Sequence, residues 1–133
     1  MKLVLDTNVL VSGIFFSGPP FKLLQAWQKR EIQIVLSLEI LHEYRRVAGA
    51  LAEQFPAIDI SGFMDMLTVN SVLIEAPALS KPVCADPDDD KFIACAIAGK
   101  VKTIVSGDKH LLKVDGFRNI RVLKPREFIE KYL

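Results

Sequence analysis

A chain of 133 residues has room for one domain, and at that size roughly 70% of the unfolded surface can be buried without disulfides or a structural metal. Hydrophobic residues make up 50% and charged residues 25%, which excludes disordered, collagen-like and low-complexity classes. With 17 Lys and Arg against 16 Asp and Glu, no global field draws the chain to nucleic acid or an anionic membrane, so contact with a polyanion must come from local patches.

Leu3-Val4-Leu5 is a continuous apolar run ending at Asp6-Thr7-Asn8, the pattern of a strand buried on both faces. No apolar run approaches the ~20 residues that span a bilayer, and Asp6 comes too early for a signal-peptide core. The expected setting is the cytoplasm, without a membrane. A short helix-like stretch, Val9 to Phe16, precedes the turn Ser17-Gly18-Pro19-Pro20. A second helix follows, with Phe21, Leu24 and Trp27 at helical spacing. Ile32 to Leu36 reads as the second strand, and Ser37 as the N-cap of a long helix that reaches about Gln54 and stops at Pro56. A helix from about Ile60 to Asn70 leads into a third strand, Val72-Leu73-Ile74.

Ala76 to Pro87, with three prolines, reads as a loop before a helix from about Asp88 to Ala98. Thr103-Ile104-Val105 is β-branched and apolar, a fourth strand with Ser106-Gly107-Asp108 as its polar exit. Ile120 to Leu123 alternates apolar with basic and is expected at an edge. Pro125 opens a terminal helix with Phe128, Ile129 and Leu133 facing inward. Strands alternating with helices imply an α/β fold with a central parallel sheet of about five strands covered on both faces, in one domain spanning residues 1–133. Cys84 and Cys95 stand without a second pair and read as reduced packing residues.

The carboxylates carry the chemistry. In an open parallel sheet, ligands sit beyond the carboxyl ends of the strands, where strand order reverses. Asp6 and Asp108 each end an apolar strand there; alternatively, each only caps the next turn. On the long helix, Glu39 lies in a polar row with His42, Arg46 and Glu53, whereas Glu43 interrupts the apolar row of Ile40 and Val47. A carboxylate in that row needs a partner or a metal, and the alternative to metal binding is an ion pair with Arg45 or Arg46. Asp86-Pro87-Asp88-Asp89-Asp90 puts four carboxylates into five residues at a helix start, more than capping and the helix dipole require. Gathered with Asp6, Glu43 and Asp108, they would repel one another unless a divalent cation neutralised them. Hard oxygen ligands suit Mg²⁺ or Mn²⁺.

Four segments in order, Leu5-Asp6-Thr7-Asn8-Val9-Leu10, Ile40-Leu41-His42-Glu43-Tyr44, Asp86-Pro87-Asp88-Asp89-Asp90-Lys91-Phe92-Ile93 with Ala96, and Ile104-Val105-Ser106-Gly107-Asp108, make the whole chain resemble the PIN domain family, specifically its VapC-like members, the toxins of toxin-antitoxin pairs. The resemblance implies a PIN-like three-layer α/β/α sandwich and metal-dependent cleavage of RNA with Mg²⁺ or Mn²⁺. It carries the acidic set onto Asp6, Glu43, Asp89 and Asp108, as metal ligands and catalytic groups, with Asn8 and Ser106 in support. For the third position Asp86 and Asp90 compete with Asp89. An acidic pocket repels an RNA backbone, and the flanking Arg45, Arg46, Lys91, Lys109 and Lys113 are the basic residues available to counter it. His110 beside them carries little weight as a general acid. The resemblance also implies an antitoxin partner and a homodimer, for which Phe15, Phe16, Phe21 or Trp27 would serve if exposed, though their helical spacing suits a core.

Two rival chemistries fit less of the chain. A haloacid-dehalogenase-type phosphatase needs a second aspartate where Asn8 stands, and a phosphorelay receiver needs a phosphorylatable aspartate where Ile74-Glu75-Ala76 stands. A PIN-fold binding module without catalysis is the rival of another class, and the intact set of mutually repelling carboxylates argues against it.

Overall fold

The computed structural model describes residues 1–133 and contains one five-stranded parallel sheet in the order β3-β2-β1-β4-β5. The strands are β1 (Lys2–Leu5), β2 (Gln33–Ser37), β3 (Val72–Ile74), β4 (Thr103–Val105) and β5 (Arg121–Leu123). Seven helices surround them: α1 (Thr7–Phe15), α2 (Pro19–Gln28), α3 (Leu38–Ala52), α4 (Ile60–Asn70), α5 (Asp90–Ala98), α6 (Lys109–Leu112) and α7 (Pro125–Tyr132). Leu3, Val4 and Leu5 are fully buried in succession. Successive residues of a strand point to opposite faces, so β1 is covered by helices on both sides. The result is the three-layer α/β/α sandwich expected from the sequence.

Chain order builds outward from β1 through β2 to β3, then crosses back to place β4 on the other side of β1 and β5 beyond it. Strand order therefore reverses between β1 and β4, which opens the crevice in which such sheets hold ligands. Leu5 pairs with Val105, so the residues that leave these two strands, Asp6 and Ser106, emerge side by side. β5 is an edge strand, as its alternation implied. Thirty-one buried residues, among them Trp27, Tyr44, Phe92 and Phe128, form the principal core.

Local sequence explains the element starts. The Ser37 hydroxyl accepts a hydrogen bond from the Ile40 amide and caps α3, Pro19 and Pro20 open α2, and Pro125 opens α7. Gly13 is required where α1 crosses α2: a Cβ there would meet the Pro20 carbonyl oxygen at 2.7 Å and the Leu24 side chain at 2.8 Å.

Two expectations change, and one segment was not foreseen. Leu133 is 50% exposed instead of inward-facing, because it follows the last helical residue and Tyr132 stacks on Phe128 in its place. Phe21, in the first turn of α2, is exposed although Leu24 and Trp27 are buried. After the polar exit of β4 the chain makes the short helix α6 and a tight turn through Gly116, Arg118 and Asn119 with positive φ. A four-residue helix is too short to leave a periodic signal.

Candidate active site

Every expected aspartate stands near a helix start, and its use as a cap separates the set. The Asp108 Oδ1 accepts from the His110 amide at 2.7 Å, and the Asp86 Oδ1 from the Asp88 amide at 3.0 Å, so both cap. Asp6 precedes α1 and Asp89 precedes α5, yet neither side chain makes a capping hydrogen bond. Both are buried, Asp6 to 5% and Asp89 to 9% exposure, where a carboxylate without a role is costly.

Asp6 is held from the neighbouring strand. The Ser106 hydroxyl donates to the Asp6 Oδ2 at 2.7 Å, and the Asp108 amide donates to the Ser106 Oγ at 2.9 Å. This relay joins the exits of β1 and β4. Burial raises the Asp6 pKa, and the charges of Asp108 and Glu43 add to the rise against the Ser106 hydrogen bond. Asp89 goes further: burial, then Asp108, Asp6, Asp86 and Asp88, push its carboxyl up to about 7. Its Oδ2 is buried with no hydrogen-bond partner. Asp6, Asp89 and Asp108, from three separate segments, thus feel one another's charge across the β1–β4 crevice.

Among the competitors for the third position, Asp90 is committed elsewhere. Its carboxylate accepts from the Val83 and Cys84 amides, at 3.2 and 2.7 Å, and ties down the irregular segment before α5. Asp86 is an exposed cap. Asp89 alone of the three is buried with an unpaired oxygen.

Glu43 has a partner, and it is neither Arg45 nor, in the main, Arg46. Lys91 Nζ lies 2.6 Å from the Glu43 Oε1 and 3.0 Å from the Asp88 Oδ1, while Arg46 stands 3.8 Å from Glu43. Arg45 lies two residues along the helix, on another face, and donates to Thr68. The second Glu43 oxygen accepts from the Thr7 hydroxyl. Next to it, the fully buried Tyr44 donates its hydroxyl to the Leu5 carbonyl and fixes α3 against the end of β1. Burial raises the Tyr44 pKa well above the ordinary phenol value. Burial pulls the Lys91 ammonium down, but its hydrogen bonds to Glu43 and Asp88 outweigh this and raise its pKa.

Residues 2–110 match a family model described as the PIN domain. The chain belongs to the PIN domain family. It is 31% identical to an uncharacterized protein of Methanocaldococcus jannaschii, over 99% of this chain and 92% of that one. Its fold resembles that of a chain in the crystal structure of VapBC2 from Rickettsia felis bound to a DNA fragment from their promoter. There the TM-score is 0.56 at 18% identity, covering 93% of this chain and 98% of the other; at that identity the likeness is one of fold.

In this PIN domain no three His, Cys, Asp or Glu side chains stand close enough, as they lie, to grip one ion. Holding a divalent cation requires the aspartates to draw in. Their chemistry suits an ion, with hard oxygens, mutual repulsion that a cation would relieve, and the unpaired Asp89 Oδ2. None of the roomier cavities is lined by Asp6, Asp89 or Asp108; Asp6 and Asp108 lie beyond the carboxyl ends of β1 and β4, and Asp89 just before α5.

Asn8 is exposed and forms no side-chain hydrogen bond within the protein, unlike Ser106. Of the basic candidates, Arg46, Lys109 and Lys113 are exposed, and Lys91 is engaged with carboxylates. Phe15 and Trp27 are buried, whereas Phe16 and Phe21 remain at the surface. Sequence reasoning passed over Thr7 and Tyr44. Tyr44 carried a signal, since a buried tyrosine needs a partner for its hydroxyl. No helix is long and apolar enough to cross a membrane.

Proposed function

We propose that this protein is a Mg²⁺- or Mn²⁺-dependent endoribonuclease that hydrolyses phosphodiester bonds of RNA, and the toxin of a type II toxin-antitoxin pair. What supports this reading is that Asp6 and Asp89 are buried, free of capping duty and free of any cationic partner, with Asp108 near enough for its charge to raise the pKa of both. Asp6, Asp89 and Asp108 would hold the ion, with Glu43 beside them completing the acidic set. When bound, it supplies Lewis-acid stabilisation of a phosphoryl oxygen and a more acidic water. Ser106 fixes the Asp6 carboxylate through its hydroxyl. A carboxylate at this site orients the attacking water and takes its proton, while Arg46, Lys109 and Lys113 hold the flanking phosphates. No side chain becomes covalently attached.

Family membership supports the nuclease activity, and the fold shared with a chain of the VapBC2 structure supports an antitoxin partner; that partner and a second copy of this chain in a homodimer would find Phe16 and Phe21 exposed. The test is cleavage of end-labelled single-stranded RNA and of DNA of the same sequence, with Mn²⁺ or with EDTA. Products from RNA in Mn²⁺ alone are expected. Cleavage that persists in EDTA, or equal cleavage of DNA, would contradict the proposal.

A further inference from the structure

We infer that Lys91 is a built-in cation of the acidic site, whose ammonium keeps Glu43 out of the ion-binding set, so that the chain holds a single divalent ion on Asp6, Asp89 and Asp108. The inference rests on the metal-binding reading above and adds to it the number of ions and the residue that sets it.

Charges around the site are sorted. Every ion pair here ends on Glu43 or Asp88: Lys91 at 2.6 and 3.0 Å, and Arg46 at 3.8 Å. Asp6, Asp89 and Asp108 have none. Both Glu43 oxygens are in use, one by Lys91 and one by the Thr7 hydroxyl, whereas the Asp89 Oδ2 is buried and unpaired. A second ion at Glu43 would have to displace a charge-assisted hydrogen bond and then sit against the ammonium it displaced. The Lys91 side chain is 18% exposed and that of Glu43 12%, so solvent screens this repulsion weakly.

The start of α5 produces the sorting. Asp88, in the one-turn 3-10 helix Pro87–Asp89 that leads into α5, is three residues from Lys91 and shares its ammonium with Glu43; Asp89, one residue on from Asp88, makes no ion pair and is buried. The ammonium thus stands, permanently tethered, where another carboxylate-rich site could take a second metal ion.

The test counts bound Mn²⁺ from the electron paramagnetic resonance of the free ion, at fixed ionic strength and without RNA. Wild type is expected to bind one ion per chain, Lys91→Met two, and Lys91→Arg one. The double variant Lys91→Met with Glu43→Gln is expected to return to one, which separates release of Glu43 from a general gain in negative charge. Two ions in wild type, or one in a folded Lys91→Met, would overturn the inference. Should Lys91→Met fail to fold, Glu43→Gln alone decides: it keeps the ion with less than tenfold weakening, while Asp89→Asn weakens it more than tenfold. Loss of the ion in Glu43→Gln would overturn the inference and leave the metal reading standing. A wild type that binds no Mn²⁺ would remove both.

Discussion

Asp6 and Asp89 show what a single residue reveals and conceals. In sequence each is an aspartate at the start of a helix, as Asp86 and Asp108 are, and the same chemistry that makes aspartate a good cap makes it a good ligand. The sequence leads one to expect them in a single site and leaves Asp86, Asp89 and Asp90 competing for the third position. Burial and hydrogen bonding separate them, and these depend on packing that spacing does not encode. Lys91 read as a basic residue for RNA because its partner Glu43 lies far away in the chain, on α3. The strain on Asp89 predicts a pH dependence. Its folded pKa is about 7 and its unfolded value about 4, so the folded state binds the proton more tightly. The penalty is absent below about pH 4, grows as pH rises through about 7, and is constant above. With screening on its open side, Asp89→Asn should stabilise the metal-free protein at pH 8 by about 1 to 2 kcal/mol, and by nothing at pH 4. Urea unfolding at the two pH values measures this; equal effects would show that Asp89 is not held against its charge. At the same scale, Glu39→Gln on the solvent face of α3 should leave RNA cleavage within about twofold of wild type.

At the scale of elements, the strands and long helices were legible because apolar runs and 3.6-residue periodicity survive without knowledge of neighbours. The helix from Ile60 to Asn70 and the strand from Val72 to Ile74 stand where the sequence put them. The short α6 and the irregular segment before α5 were not legible in detail, since their geometry is set by single hydrogen bonds. Asp90 is the clearest case: it anchors the Val83 and Cys84 amides. Asp90→Ala should speed proteolysis within residues 76–86 severalfold while Mn²⁺ binding persists. Loss of Mn²⁺ binding in that variant would return Asp90 to the ligand set. Gly13 makes the α1–α2 crossing possible, and Gly13→Ala should cost on the order of 1 to 3 kcal/mol by overpacking, read as a lower urea midpoint.

For the whole molecule, the parallel sheet reverses its order between β1 and β4, and that topology brings residues about a hundred positions apart, Asp6 and Ser106, into hydrogen-bond contact. The family resemblance implied a supporting role for Ser106 but not this hydrogen bond to Asp6, and periodicity alone implied neither, because strand order is not written in any one segment. A site built of repelling carboxylates should make the fold ion-dependent. Mn²⁺ at about a hundred times its Kd should add about 3 kcal/mol and raise Tm by on the order of 10 °C. A thermal melt that ignores millimolar Mn²⁺ would contradict a site held by these aspartates.

The proposed chemistry is cleavage of RNA by the carboxylates at the β1–β4 crevice through a bound divalent ion. Its most direct measurement is single-turnover cleavage of single-stranded RNA by wild type, Asp6→Asn and Asp89→Asn, prepared identically and checked for folding, in Mn²⁺ and in EDTA. Cleavage by wild type in Mn²⁺ alone, with each variant reduced a hundredfold or more, is the predicted result. Cleavage by either folded variant at the wild-type rate would place the chemistry elsewhere in the molecule.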